Sequence, residues 1–448
     1  MAVHLGLEGV VPTTLWLAEI LFFFLSIFKE PTLGLYLLVP LLPLETVRYR
    51  LHGYFLGAQF VDVLLLGVIL GLMRQGRAML SKTPLNALLF VYIAYTYLSL
   101  VRGSYFLDIG LPLWFSDPRL SDWKNFVIDL SIIFFVTTSA IRTKRQMGFL
   151  LLTMCFGALL VTKNFHNTIA DRDYSSFSYS LRDSGTLGGA GVNGLAAFEA
   201  QISVLLIGLV LVERKVLARF GYLAVIGGSI YCLLFALSRG GYAALLIGMS
   251  YLGIVRNRLL LVGVVGFLLV WQSFVPAAVR ERVYMTEENG VVDHSAEARL
   301  SLWDEAMGVF KADPVFGTGF NTYKYESHVG GYGDTHNLFI KVLVETGLCG
   351  LLLFLAIFYK LFQIGFRLHR TASDPFLKSI GLGFSGLMLT ALVANFFGDR
   401  WMYFQITGYT FAFAALAVRA QQLTDEDGTG SAEEEGEQSD LEMSGASA

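Results

Sequence analysis

One histidine and two arginines have the types and settings that could do chemistry. His336 stands in Thr335-His336-Asn337, directly before an apolar run that begins at Leu338. An imidazole there lies near both water and the lipid boundary, and histidine is the side chain best matched to proton transfer near neutral pH. The alternative is a residue that merely caps or packs at a helix start. Arg239 lies in Ser238-Arg239-Gly240-Gly241, a four-residue turn between two apolar segments. A guanidinium so close to hydrocarbon is costly unless something satisfies it. A lipid diphosphate is one candidate, since the arginine fork matches phosphate oxygens; snorkelling to headgroups is the other. Arg299 opens Arg299-Leu300-Ser301-Leu302-Trp303, one helical turn before Trp303 on the same face, with Glu297 or Asp304 as its alternative partner.

Other signals are weaker. Asp171-Arg172-Asp173 has the form that holds a metal and nucleotide diphosphate in some glycosyltransferases, but it falls in a loop expected to face outward, away from nucleotide sugars. Asp62, Glu199 and Glu345 lie in apolar segments and raise the idea of a proton relay. No His-Glu-x-x-His, Gly-x-Ser-x-Gly or phosphate-binding loop occurs. His336 has no Cys or second His at metal spacing, so neither a metal nor a cofactor is expected. Cys155, Cys232 and Cys349 all fall in apolar segments and read as small buried residues rather than disulfides.

The elements that must position these residues follow from composition. Of 448 residues, 54% are hydrophobic and 15% charged, against about 25% charged in soluble domains. With 36 Phe and 20 Tyr, that apolar content exceeds what one water-soluble core can hide. The fold class is therefore all-α and polytopic in a membrane. A net charge of −3 without a long basic tract leaves no nucleic acid as partner. The first ten residues lack the basic start of a cleavable signal peptide. Apolar segments lie at roughly 13–28, 32–44, 57–73, 84–101, 125–141, 147–162, 192–212, 220–237, 242–255, 259–275, 338–363, 378–398 and 401–418. The first two are short enough to be one broken unit, so about 12 spans (11–13) are expected.

Basic residues orient the chain. Loops 74–83, 142–146, 213–219, 255–258 and 360–378 hold 15 Lys and Arg in 45 residues, whereas the opposite loops hold 15 in 134. The denser set belongs in the cytoplasm, which sends loop 276–337 outward, to the periplasm or its equivalent. That loop carries Trp303, Phe310, Phe316, Phe320, Tyr323, Tyr325 and Tyr332, enough aromatic surface to pack as one long structured loop. Leu300, Trp303, Met307 and Phe310 form a helical stripe that Asp313-Pro314 ends. Three regions result: N-terminal transmembrane helices at 1–190, a transmembrane core with the long loop at 191–420, and an acidic cytoplasmic tail at 421–448 whose composition reads as disorder.

Several of these residues occur in an order that resembles the O-antigen ligase and polymerase family of bacterial inner-membrane proteins, most strongly over about 195–355. The likeness rests on Ser238-Arg239-Gly240, on Arg299 with Trp303, and on Gly317-x-Gly319-x-x-x-Tyr323. It rests also on His336-Asn337 followed by Leu343, Glu345, Gly347 and Gly350. The resemblance implies a GT-C-like glycosyltransferase on the periplasmic side of the inner membrane. It would take a glycan from undecaprenyl diphosphate and join it to a hydroxyl of a glycan or lipid acceptor. His336 would be the catalytic base and Arg239 and Arg299 would hold the diphosphate in place of a metal. Tyr323, Asn337, Trp303 and Gly319, as motif residues, would line the substrate. The alternative from another class is a transporter or flippase of lipid-linked sugars; a scaffold of a polysaccharide complex is the third.

Overall fold

The computed structural model describes residues 10–285, 287–288, 291–292, 294–326 and 333–445, with side chains at 10–285, 299–326 and 333–426. The architecture is helical apart from a two-residue antiparallel ladder of Glu287–Glu288 with Val291–Val292. The first eight helices are α1 (Val10–Phe28), α2 (Thr32–Leu41), α3 (Glu45–Tyr49), α4 (Phe60–Arg74), α5 (Asn86–Phe106), α6 (Pro118–Trp123), α7 (Asp129–Ala140) and α8 (Lys144–Ile169). There follow α9 (Gly191–Val210), α10 (Val216–Phe235), α11 (Arg239–Val255), α12 (Arg258–Val270), α13 (Ala277–Tyr284), α14 (His294–Ala312), α15 (Leu338–Thr371), α16 (Pro375–Phe396) and α17 (Phe404–Gly445).

Every apolar segment of the sequence falls on one of these helices, and the chain is a polytopic membrane protein. Among the described residues eight helices are long and apolar enough to cross a bilayer, or nine if the pair around α12 and α13, bent by 111°, is one broken span. The expected count of about 12 and this count part at the short helices. At ~1.5 Å per residue, α2 with 10 residues and α11 with 17 fall short of ~30 Å of hydrocarbon. The first two segments are separate helices, and α1 reaches spanning length alone.

Burial separates centre from rim. The most apolar 18-residue window of the stretch Gly185–Val210, which ends in α9, is 83% buried, and its side chains are apolar nearly all round, as a central helix requires. It packs against α10, α11 and α16, and α16 packs against α15. Small residues allow the close approach: a Cβ at Gly208 would lie 2.5 Å from Gly383 Cα. One continuous apolar core runs from Leu35 to Ala420, through both the N-terminal helices and the remainder. The backbone of α17 stays helical into the acidic stretch whose composition reads as disorder.

The segment between α12 and α15 is anchored by a break in α15. Gly347 has φ +65, a conformation that frees backbone groups of the helix around it. Those groups are taken up by the chain after α14: Thr318 N donates to Val344 O at 3.0 Å, Gly319 N to Glu345 O at 2.7 Å, and Leu348 N to Pro314 O at 3.0 Å. Arg102 of α5 pairs with Asp313 and donates to Gly317 O. α14 ends at Ala312, as Asp313-Pro314 requires. Its buried face, however, is Leu302 and Ala306 rather than a stripe through Leu300, which is exposed. The face is set by docking on α15, where Ala306 meets Tyr323 and Val344.

Candidate active site

Five arginines and His336 line one cavity of about 570 Å³, at the end of the bundle where α9, α11 and α15 begin and α16 ends. Asn193, in the first turn of α9, holds two of the connecting loops. Its Oδ1 accepts from Arg182 Nη2 at 2.7 Å and from Ser238 Oγ at 2.9 Å. Ser238 precedes α11, whose first turn (Arg239, Gly240, Gly241) lines the cavity. Amides at a helix start favour an anion. Arg239 Nη1 donates to Met285 O at 2.6 Å, tying α11 to the chain after α13. Arg282 of α13 is buried, its guanidinium 5.1 Å from the Phe177 ring centre and 5.4 Å from that of Tyr179.

Arg400 follows α16 and is only 6% exposed. Its guanidinium lies 5.9 Å from the centre of the Tyr403 ring. Among the described residues it donates no side-chain hydrogen bond and enters no ion pair. Burying such a cation is expensive unless something neutralises it. No carboxylate is among the described residues lining the cavity. Burial, and then the charges of Arg282 and Arg299, pull the Arg182 pKa down to about 10, which still leaves that guanidinium cationic near neutral pH. A pocket of this kind suits a multiply charged anion such as a diphosphate.

His336 enters from a tightly held turn. Its φ of +51 is uncommon for a residue with a Cβ, and such strain persists only where surroundings impose it. Asp334 Oδ1 accepts the His336 backbone N–H at 2.6 Å and lies 2.6 Å from His336 Nδ1. Burial pushes the Asp334 pKa up, but the hydrogen bond and charge of His336, with Lys341, outweigh it and hold the carboxyl below its ordinary value. Trp303 Nε1 donates to Thr335 O at 2.9 Å, and Thr335 Oγ1 donates to Asn337 O at 2.7 Å. Leu338 N donates to Gly398 O at 3.3 Å, fixing the turn against the end of α16.

Arg239, Arg299 and His336 therefore share one cavity, although some 60 residues separate Arg239 from Arg299. Four other candidates take different places. Asn337 does not line the cavity; its Oδ1 caps α15 by accepting from Phe339 N at 3.0 Å and Ile340 N at 3.3 Å, which leaves that oxygen no role toward a ligand. Trp303 holds the histidine turn from behind. Tyr323 is buried against α14 and α15, and its amide donates to Glu345 Oε1 at 3.2 Å. Gly319, at φ +130, lets the loop touch α5: a Cβ there would sit 2.2 Å from Gly103 Cα. These four position the site rather than line it.

Reading the sequence missed Arg182, Arg282, Arg400 and Asn193. Arg400 carried the signal that found Arg239, a guanidinium in a short turn between apolar segments; Arg182 and Arg282 sit in long loops with no such mark. The weaker motifs have local partners. Asp173 Oδ1 accepts from Ser175 N, Arg172 pairs with Asp183, Asp62 pairs with Lys124, and Glu345 holds the loop clamp.

A second cavity, of about 530 Å³, adjoins the first through Arg239, which lines both. It runs between α10, α11, α12 and α13 and is otherwise almost wholly apolar, with Leu234, Leu246, Phe267, Trp271 and Val279 among its walls. No curated protein matches this chain. Residues 223–355, the stretch that carries Arg239, Arg299 and His336, match the family model described as O-antigen ligase, which supports an O-antigen ligase or polymerase assignment.

Proposed function

We propose that the chain transfers a glycan from a polyprenyl-diphosphate donor to a hydroxyl of a glycan or lipid acceptor at the outer face of the bacterial inner membrane. The observation that carries this reading is the cavity lined by five arginines, with no carboxylate among its described lining residues, and with Arg239 also lining the adjoining apolar groove. That pairing fits a ligand with a diphosphate head and a long hydrocarbon tail. The acceptor oxygen attacks the anomeric carbon while the bond from that carbon to the diphosphate oxygen breaks. His336 takes the hydroxyl proton; with Nδ1 engaged by Asp334, the accepting atom is Nε2. Arg239, Arg299 and Arg400 stabilise the charge gathering on the departing diphosphate. A transporter would spread its charged groups along a path through the bilayer midplane. Here they gather at one end of the bundle, which supports an enzyme. Ligation and polymerisation differ only in acceptor and share this donor site.

The test is reconstitution in bilayers with a polyprenyl-diphosphate glycan and separate glycan and lipid acceptors. The expected result is transfer to one of them, at a rate that excess EDTA leaves unchanged. Loss of transfer on chelation, with rescue by Mg²⁺, would remove the arginines from the role of charge stabiliser. Sidedness has its own check, in a chain whose three cysteines are replaced. An impermeant maleimide on intact spheroplasts should label Gly308→Cys in α14 and spare Ser373→Cys in the loop between α15 and α16; the reverse pattern sinks the orientation.

A further inference from the structure

We propose that a third cavity, of about 420 Å³, is the binding site for the sugar of the acceptor. It lies at the same end of the bundle as the arginine cavity, among the start of α4, the turn before α7 and the start of α17. The inference rests on the transferase reading above. Its walls include Glu45, Asp62, Asn125, Gln405, Tyr49 and Tyr403. This is the chemistry that recognises a hydroxyl-rich ring: carboxylates and amides for vicinal hydroxyls, and aromatic faces for the apolar side of the ring.

Two observations point to a ligand. Gln405 is only 7% exposed, yet among the described residues its side-chain amide has no hydrogen-bond partner while it lines this cavity. A buried amide left so is normally paired. Asn125 is likewise without a side-chain partner among the described residues, and Asp62 spends Oδ1 on Lys124 at 2.6 Å while Oδ2 has no such bond. The second observation is charge. Asp62 and Asp129 share Lys124, and Glu45 adds a further carboxylate against Arg48. Among the described residues the lining thus holds three carboxylates, Glu45, Asp62 and Asp129, against Arg48 and His52, unlike the arginine cavity, and offers a diphosphate no advantage. Donor head and acceptor ring are sorted by electrostatics.

The two cavities share a wall. Arg400 lines one and Tyr403 the other, and the Arg400 guanidinium sits over the Tyr403 ring. An acceptor ring held against Tyr403 would have its hydroxyl next to the diphosphate end of the donor. The full-length protein in nanodiscs provides the test, by saturation-transfer NMR with methyl glycosides of glucose, galactose, mannose and N-acetylglucosamine, and by titration with inorganic diphosphate. At least one glycoside should bind, and both Gln405→Leu and Tyr49→Ala should weaken it about tenfold or more while diphosphate binding stays within twofold. Tyr49 is 68% exposed, so its replacement leaves the core intact. Diphosphate binding without any glycoside, or glycoside binding indifferent to both changes, would overturn the acceptor site and leave the transferase reading standing. Glycoside binding without diphosphate binding would overturn the acceptor role together with that reading.

Discussion

Replacing His336 with alanine should slow glycan transfer by roughly 10²–10⁴-fold, the usual scale for losing a general base, while donor binding stays within a few-fold. The split follows from geometry. The arginines that would hold the diphosphate are attached to α9, α11, α13, α14 and the end of α16, not to the histidine turn. Single-turnover transfer and donor binding measured on the same preparation separate the two effects. Asp334→Asn should give a smaller loss than His336→Ala, since it removes the negative charge beside Nδ1 but keeps an oxygen that can accept from it and hold the ring in place. Because the Asp334 pKa is depressed in the fold, its contribution to the turn is complete above its unfolded value, near ~4. That contribution is lost only as pH falls toward the lower folded value. Thermal stability of the native chain should therefore show a steeper acid-side decline than that of Asp334→Asn, in which Asp117 and Asp374 still contribute theirs. Full activity in His336→Ala, or identical acid profiles for native chain and Asp334→Asn, would contradict this role.

Arg400→Ala should lower the rate of transfer by roughly 10²–10³-fold, the scale seen when one group that stabilises developing charge is removed. Arg239→Lys and Arg299→Lys should also be harmful, because lysine keeps the charge but loses the planar fork that grips two phosphate oxygens. The three positions are not equivalent. Arg400 is buried beside Tyr403 and donates no hydrogen bond among the described residues, so its guanidinium is the one most dependent on a ligand for neutralisation. Its removal should raise protein stability in the absence of donor even as it abolishes most of the rate, since an uncompensated buried charge destabilises the empty site. Thermal unfolding with and without inorganic diphosphate checks this: the native chain should gain stability from the anion and Arg400→Ala should gain much less. Equal stabilisation of both, or full activity of both Arg→Lys variants, would rule out fork-wise diphosphate binding.

Residue types and their order along the chain are enough to identify the solvent and the punctuation. Continuous apolar runs of this length, separated by short basic or glycine-bearing turns, form helices in hydrocarbon, because a helix satisfies every backbone amide within its own segment. Thus each expected segment falls on a helix, and Asp313-Pro314 ends α14. Arg239 and His336 were legible for the same reason: a polar group at the edge of an apolar run stands out against its neighbours. Which of these groups meet depends on how the helices pack. Arg182, Arg282 and Arg400 come from three separate connections, and no periodicity links them to Arg239. They converge because small residues let α9, α11 and α16 pack closely and because the break at Gly347 docks the chain after α14 onto α15. The same packing explains why Asn337, Tyr323, Trp303 and Gly319 hold the site without lining it. Residue type and spacing cannot tell a ligand's hydrogen bond from a cap or a clamp, whose partners lie far away in sequence or within the next turn.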